Sequence, residues 1–201
     1  EDQVALPTAP GAAVLALVTM TARAADAPPV PGAGAAPVLT LQVEPLTKQA
    51  FKAFGELVEV PEGMKPTVEN AILSYWGGLA KARFHEEMEF GLFTVKAREH
   101  DVAEMERHVK TPELLVGLTS DYVLVVAPRS APKAGVARPV AAKVKAFRVP
   151  RGKALLLARG TWHALPFPTE PEGQFLVGFR NMTATRDLAL RPFKDRAVVK
   201  F

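Results

Sequence analysis

Residues Glu104–Gly117 read EMERHVKTPELLVG, and residues Arg159–Pro166 read RGTWHALP. In an extended strand, side chains two apart share a face. Glu106 and His108 therefore point the same way, and Glu104 joins them if the strand is regular. Thr111-Pro112 marks a turn. A hairpin at that turn sets Glu113 at the start of the next strand, beside His108. In the second stretch Gly160 permits a tight turn and Trp162 braces the loop. His163 then begins a strand that faces the same interior. Two imidazoles and their carboxylates thus converge inside a β-structure.

The flanking sequence supports β-structure on both sides. Strands are predicted over Glu89–Lys96 (EFGLFTVK), Asp101–His108, Leu114–Leu118, Tyr122–Ala127 (YVLVVA), Lys145–Val149, Ala154–Leu157 and Phe175–Phe179. Turn signals separate them at Thr119–Asp121, Arg151-Gly152, Gly160 and Pro166–Gly173, and Ser130–Pro139 reads as a loop. Upstream, Thr47 is a candidate N-cap for a short helix over Lys48–Phe54. A strand at Leu57–Val60 and a loop over Pro61–Pro66 follow. The 18 prolines and 14 glycines suit many short strands joined by turns. The expected fold class is all-β with minor α, a sandwich or barrel.

Residues 1–40 read differently, being dominated by Ala, Pro and Gly with Glu1, Asp2, Arg23 and Asp26 as their charges. Gly11–Met20 is an apolar run too short to span a bilayer. Ala22-Arg23-Ala24 has the small-x-small look of a signal-peptidase site, and Pro28–Pro37 reads as an extended linker. A basic segment ahead of the apolar run is missing. The expected division is a leader over 1–40, signal-like or without meaning, and one barrel domain over 41–201.

Apolar residues form 48% of the 201-residue chain, enough for a real core. The absence of cysteine excludes disulfides, thiolate metal sites and cysteine nucleophiles. Net charge is +4, with basic and acidic residues interspersed. No zinc-finger spacing, RNA-binding signature or basic helix is visible, so neither nucleic acid nor membrane is expected as a partner. A mildly basic surface favours small anionic substrates.

His108, Glu113 and His163 are the candidate catalytic groups. Together with Glu106 they also form a ligand set for one divalent metal ion such as nickel, manganese, iron or zinc. Without metal, His and a desolvated Glu titrate near neutral pH and suit acid–base work. Lys96 and Arg180 are candidate anchors for a substrate carboxylate, with Tyr75 at the pocket mouth. Arg107 is expected to face away from His108, His85 to lie in a loop and His100 to be solvated. Trp162 and Trp76 are read as packing residues.

The two motifs resemble those of the cupin superfamily: an H-x-H stretch, a Glu and a Gly beyond it, then Gly-x-x-His. Glu106 stands in the place of the first His, while His108, Glu113, Gly117, Gly160 and His163 match the rest. That resemblance implies a double-stranded β-helix, or jelly-roll, barrel. A closer one covers Val43 to Arg180. The runs PLTKQAFKAFG (Pro45–Gly55), ARFH (Ala82–His85), GLFTVKAR (Gly91–Arg98), MERH (Met105–His108), YVLVVAP (Tyr122–Pro128), AFRVPRG (Ala146–Gly152), RGTWHALPF (Arg159–Phe167) and QFLVGFR (Gln174–Arg180) resemble the ureidoglycolate lyase family. The resemblance implies a cytoplasmic homodimer without organic cofactor that cleaves ureidoglycolate to glyoxylate and urea in allantoin and purine degradation. A genuine signal peptide would instead place the chain in the periplasm or outside the cell.

The family follows ERH with Pro-Leu-Gly-Ser-Gln, where this chain has Val109-Lys110-Thr111-Pro112-Glu113. A Glu in place of that Gln makes the site more like a metal-binding cupin. The competing readings are therefore a metal-dependent isomerase or dioxygenase of another small acid, and a non-catalytic small-molecule-binding cupin.

Overall fold

The computed structural model describes residues 39–131 and 136–201. Nearly all of the regular structure is strand. The first strand, β1 (Leu39–Pro45), is followed by a four-residue helix, α1 (Lys48–Phe51). Thr47 caps that helix as its sequence predicts, its hydroxyl accepting from the Ala50 N–H at 3.1 Å. The helix stops at Phe51, short of the expected Phe54, and β2 (Gly55–Val58) follows. A small hairpin, β3 (Val68–Glu69) and β4 (Ser74–Tyr75), stands apart from the main sheets.

The central strands are β5 (Met88–Lys96), β6 (Asp101–Met105), β7 (Glu113–Gly117), β8 (Tyr122–Ala127), β9 (Lys145–Val149) and β10 (Ala154–Leu157). Then come the short β11 (Trp162–His163) and β12 (Phe167–Pro168), the long β13 (Glu172–Arg180), helix α2 (Thr183–Arg186) and β14 (Arg191–Lys200). Strands β8, β9 and β10 have the bounds their apolar runs predict. Strands β1, β3, β4, β12 and β14 and helix α2 are not among the predicted elements. The expected leader lies outside the described residues except for Leu39 and Thr40, which belong to β1.

One sheet runs β11-β8-β9-β1-β14-β6, with β12 also paired to β8. Its ends meet, because Glu106, directly after β6, forms an antiparallel bridge with His163 of β11. The sheet thereby curls around a core of Leu41, Met105, Val123, Val125, Ala146, Trp162 and Val199. A second sheet runs β2-β10-β7-β13-β5 and packs over the outer faces of β8 and β9. Between the two sheets lie Phe51, Leu115, Tyr122, Leu124, Phe147, Leu155 and Phe175.

Strand β8 is buried on both faces because it lies between the two cores, which is why YVLVVA is a continuous apolar run. Phe51, Phe54 and Phe147 meet with ring centroids 5.6–5.8 Å apart and close one end of this core. No helix among the described residues is long and apolar enough to cross a membrane.

The hairpin expected across Thr111-Pro112 does not form. Strand β6 pairs with β14, while β7 pairs with β10 and β13. The chain crosses from one sheet to the other between His108 and Glu113, the change of direction that lets these side chains face each other across the gap.

Candidate functional site

Strand alternation builds the site. Met105 and Trp162 point into the curled sheet's own core. Their neighbours Glu106 and His163 therefore point out of it, toward the second sheet. On β7, Glu113 and Leu115 point back from the second sheet, so the Glu113 carboxylate arrives opposite the two imidazoles. The Glu106–His163 bridge is tight, with N–H to carbonyl distances of 2.8 and 2.9 Å. Gly160, at φ +80°, makes the turn that the sequence predicts, and its N–H reaches the His108 carbonyl at 2.6 Å. This contact ties the first motif to the second.

Glu113 Oε2 lies 3.3 Å from Nε2 of His108 and 3.3 Å from Nε2 of His163. Glu106 Oε1 lies 3.3 Å from the same nitrogen of His163. His108, Glu113 and His163 are only 6%, 6% and 4% exposed, so these charges meet in a medium that screens them poorly. His108 Nδ1 is 2.9 Å from the Asp187 carbonyl, and His163 Nδ1 is 3.2 Å from the Thr161 carbonyl. A carbonyl oxygen only accepts, so both Nδ1 atoms carry hydrogen and both Nε2 atoms face the cluster.

The electrostatics follow from this geometry. Burial pulls the basicity of both imidazoles down. For His163 the Glu113 charge and the Glu106 and Glu113 contacts outweigh burial, and its pKa lies well above the ordinary value. His108 is also raised, by Glu113 and then Glu106, against burial and the neighbouring His163. Burial alone would raise the Glu113 carboxyl, but the two imidazoles hold it well below the usual carboxylate range. Without metal, the Glu113 carboxylate therefore favours the protonated form of each ring beside it.

The centre also fits a metal ion. Glu106, His108 and His163 present ligand atoms that all lie within 4.8 Å of one another. Glu113 Oε2 and His163 Nε2 are buried, and neither has a well-directed hydrogen bond among the described residues. With each Nδ1 tied to a carbonyl, the Nε2 lone pairs of the neutral rings converge as metal-ligating imidazoles do. Two imidazoles and a carboxylate suit a divalent transition ion.

The remaining expected site residues lie elsewhere. Lys96 is exposed at the end of β5, on the face opposite buried Val95. Arg180 is on the outward face of β13 and donates to Glu86 at 2.9 Å. Tyr75 is 53% exposed on the separate β3–β4 hairpin. Glu104 is not one of the converging ligands, although burial and the nearby Glu106 charge raise its carboxyl pKa. Arg107 turns away from His108, as expected, and lies over the Trp162 ring at 4.5 Å. Trp162 packs, fully buried, with its indole N–H on the Ser130 hydroxyl at 2.9 Å. His100 is not simply solvated, since its ring stacks on Phe201 at 3.8 Å.

Two residues of this neighbourhood escaped the sequence reading. Asp187 follows α2, and its carboxylate accepts the Val109 and Lys110 N–H groups at 3.0 and 2.7 Å. Its carbonyl orients His108. No local pattern marks it, because its partners are nearly eighty positions away. Tyr122 points its hydroxyl into the gap between the sheets, buried and without a partner among the described residues. Burial and the Glu113 charge both push its pKa up. Gly117 makes room for that ring, since a Cβ there would stand 2.6 Å from the Tyr122 ring carbons.

Two packed β-sheets with paired imidazoles and carboxylates gathered between them define a cupin-type jelly-roll protein. The family is narrower than that. Residues 38–200 match the family model described as ureidoglycolate lyase, and the chain belongs to this family. It is similar to the ureidoglycolate lyase of Chelativorans sp. (strain BNC1), with 29% identity over 67% of this chain and 81% of that protein. The ureidoglycolate lyases of Pseudomonas putida (strain F1) and Brucella ovis are 30% and 31% identical to it, each over 69% of this chain and 83% and 81% of those proteins. A dTDP sugar isomerase structure from Desulfovibrio desulfuricans G20 aligns at TM-score 0.35 and 12% identity over 71% of this chain and 83% of that one.

Proposed function

We propose that this chain is a lyase that cleaves ureidoglycolate to glyoxylate and urea. The single observation that carries the reading is the convergence of His108 and His163 on Glu113 in a chain of this family. The substrate carries a hydroxyl, a ureido nitrogen and a carboxylate on or beside one carbon. Elimination removes the hydroxyl proton, forms the C=O bond, breaks the C–N bond and returns a proton to the departing nitrogen. It needs no nucleophile, and the site offers no serine or cysteine.

Glu106, His108 and His163 would hold a divalent ion, nickel, manganese, iron or zinc. When bound, such an ion supplies Lewis-acid polarisation of the substrate's oxygens. The imidazoles cannot ligate through Nε2 and pass a proton there at once. With the three ligands so engaged, Glu113 is the side chain left to move the proton. Without an ion, the imidazoles carry it, and Glu113 orients them. The family favours the lyase over a metal-dependent isomerase or dioxygenase.

The test is glyoxylate release from racemic ureidoglycolate, with and without a chelator. Release that survives chelation supports imidazole acid–base chemistry, and release lost on chelation supports the ligand role. No release in either case, even with added nickel or manganese, removes the substrate reading.

A homodimer is part of the same proposal. In register, Leu92, Leu176 and Val116 form one row on the outer face of the second sheet, and Phe90, Gly178 and Leu114 form the next. Phe90 and Leu92 are 62% and 64% exposed. A contiguous apolar face on an edge strand is a surface that a second copy would cover. Sedimentation of Phe90→Glu/Leu92→Glu as a monomer, against a wild-type dimer, is the expected result.

A further inference from the structure

A cavity of about 360 Å³ opens at the end of the second sheet where β2 and β7 begin and β10 ends. Its walls carry Lys52, Lys81, Arg83, Arg159 and His85, against a single carboxylate, Glu56. The rest of the lining is apolar, including Pro112 and Leu156. Four other Lys and Arg side chains among the described residues have carboxylate partners. Lys145, Arg148, Lys153 and Arg180 each sit within 3.6 Å of a carboxylate. Among the described residues none of the cavity's four Lys and Arg side chains makes such a pair. Four unneutralised cations around one concavity repel one another, and an anion there relieves the repulsion.

The cavity is also held in shape. Arg159 donates to the Arg83 carbonyl at 2.6 Å, which pins the segment carrying Lys81, Arg83 and His85 to the end of β10. Its guanidinium keeps further N–H groups for a forked contact with an oxyanion. The floor is close-set at Gly55, where a Cβ would meet the Leu156 carbonyl oxygen at 2.1 Å. The imidazole–carboxylate centre is a different place. Glu113 points inward between the sheets, whereas its neighbour Pro112 lines the cavity.

We propose that this cavity is a second binding site, for a small doubly charged oxyanion such as a dicarboxylate or a phosphate, held by Lys52, Lys81, Arg83 and Arg159. The size suits a small molecule, since ligand pockets of ~300 Å³ and above are ordinary. The proposal does not depend on the lyase reading.

The experiment is isothermal titration calorimetry of the full chain at low ionic strength, with malonate in one arm and inorganic phosphate in the other. One saturable event is expected with at least one of them, and added salt should weaken it. Binding by malonate alone assigns the carboxylate class, and binding by phosphate alone assigns the phosphate class. Lys52→Glu/Arg83→Glu should weaken binding by about tenfold or more, as loss of two favourable charges predicts. His108→Ala/His163→Ala should leave affinity within about threefold, well under the tenfold that a lost charged contact costs. Circular dichroism melts confirm that each variant is folded, and Lys52→Gln/Arg83→Gln replaces the charge reversal if that variant does not fold. No saturable heat with either anion, equal binding in the cavity variant, or binding lost only in the histidine variant would each overturn the proposal.

Discussion

Glu106 and His163 lie in different motifs, yet they are β-bridge partners whose side chains meet at 3.3 Å. The bridge closes the curled sheet and sets the spacing of the centre at once. The backbone contact that completes the fold is also the one that brings a carboxylate to an imidazole.

The buried charges should show in stability when one partner is removed. His163→Ala leaves Glu113 and Glu106 facing each other's charge with only His108 between them. In metal-free protein it is expected to cost ~3–5 kcal/mol, the range for breaking a buried pair. Adding Glu113→Gln to His163→Ala should recover part of that loss, because no buried carboxylate is then stranded at that position. Urea denaturation of the single and double variants measures both values.

Turnover should fall more steeply than stability. His108→Ala and His163→Ala are each expected to lower kcat for glyoxylate release by about 10²-fold or more, as removal of a proton-transfer group does. Full activity in both variants would remove the imidazoles from the mechanism.

Asp187 tests positioning at a distance. Asp187→Ala strips the Val109 and Lys110 N–H groups of their acceptor. Charged hydrogen bonds of this kind contribute ~1.5–3 kcal/mol each, so a loss of a few kcal/mol is expected by denaturation. Since His108 sits on the Asp187 carbonyl, kcat should drop with KM little changed, and Asp187→Asn should restore only part of both, because its amide offers one acceptor to two N–H donors.

The metal-free protein should have a pH optimum of stability. The Glu113 carboxyl is lowered on folding, so its contribution is present above the unfolded value of about 4.3 and is lost as pH falls through the folded value. The His163 ring is raised, so its contribution is complete below the unfolded value of about 6.5 and is lost as pH rises through the folded one. Denaturation midpoints should therefore be highest near pH 5–6, about where both windows overlap. His163→Gln should flatten the alkaline side, and an unchanged alkaline slope would contradict the assignment.

Tyr122 and Gly117 form a fifth check. Tyr122→Phe removes a buried hydroxyl with no partner among the described residues, and a gain of about 1 kcal/mol is expected. Gly117→Ala should destabilise, because the new methyl would overlap the Tyr122 ring. Thermal melts of both variants, with opposite signs expected, decide it.

Three strands that border the core between the sheets were legible one residue at a time. Tyr122–Ala127, Lys145–Val149 and Ala154–Leu157 carry apolar runs bounded by turn residues, and burial there is dictated by composition. Strand β14 was not legible, since Arg191, Lys194, Asp195, Arg196 and Lys200 mask its pattern within ten residues. Its pairing with β1 and β6 comes from partners far along the chain.

By itself the sequence determined the alphabet of the site: His108, Glu113 and His163, with Glu106 facing as His108 does, and a β-fold to hold them. Strand alternation has a period of two residues, so a local stretch carries that information. Only the tertiary structure decided how they meet. Glu113 reaches His108 across two sheets and not around a hairpin, Arg180 is spent on Glu86, and Asp187 arrives from beyond α2 to orient His108. Strand partners are selected by the sum of many weak long-range contacts, and no short segment contains that sum.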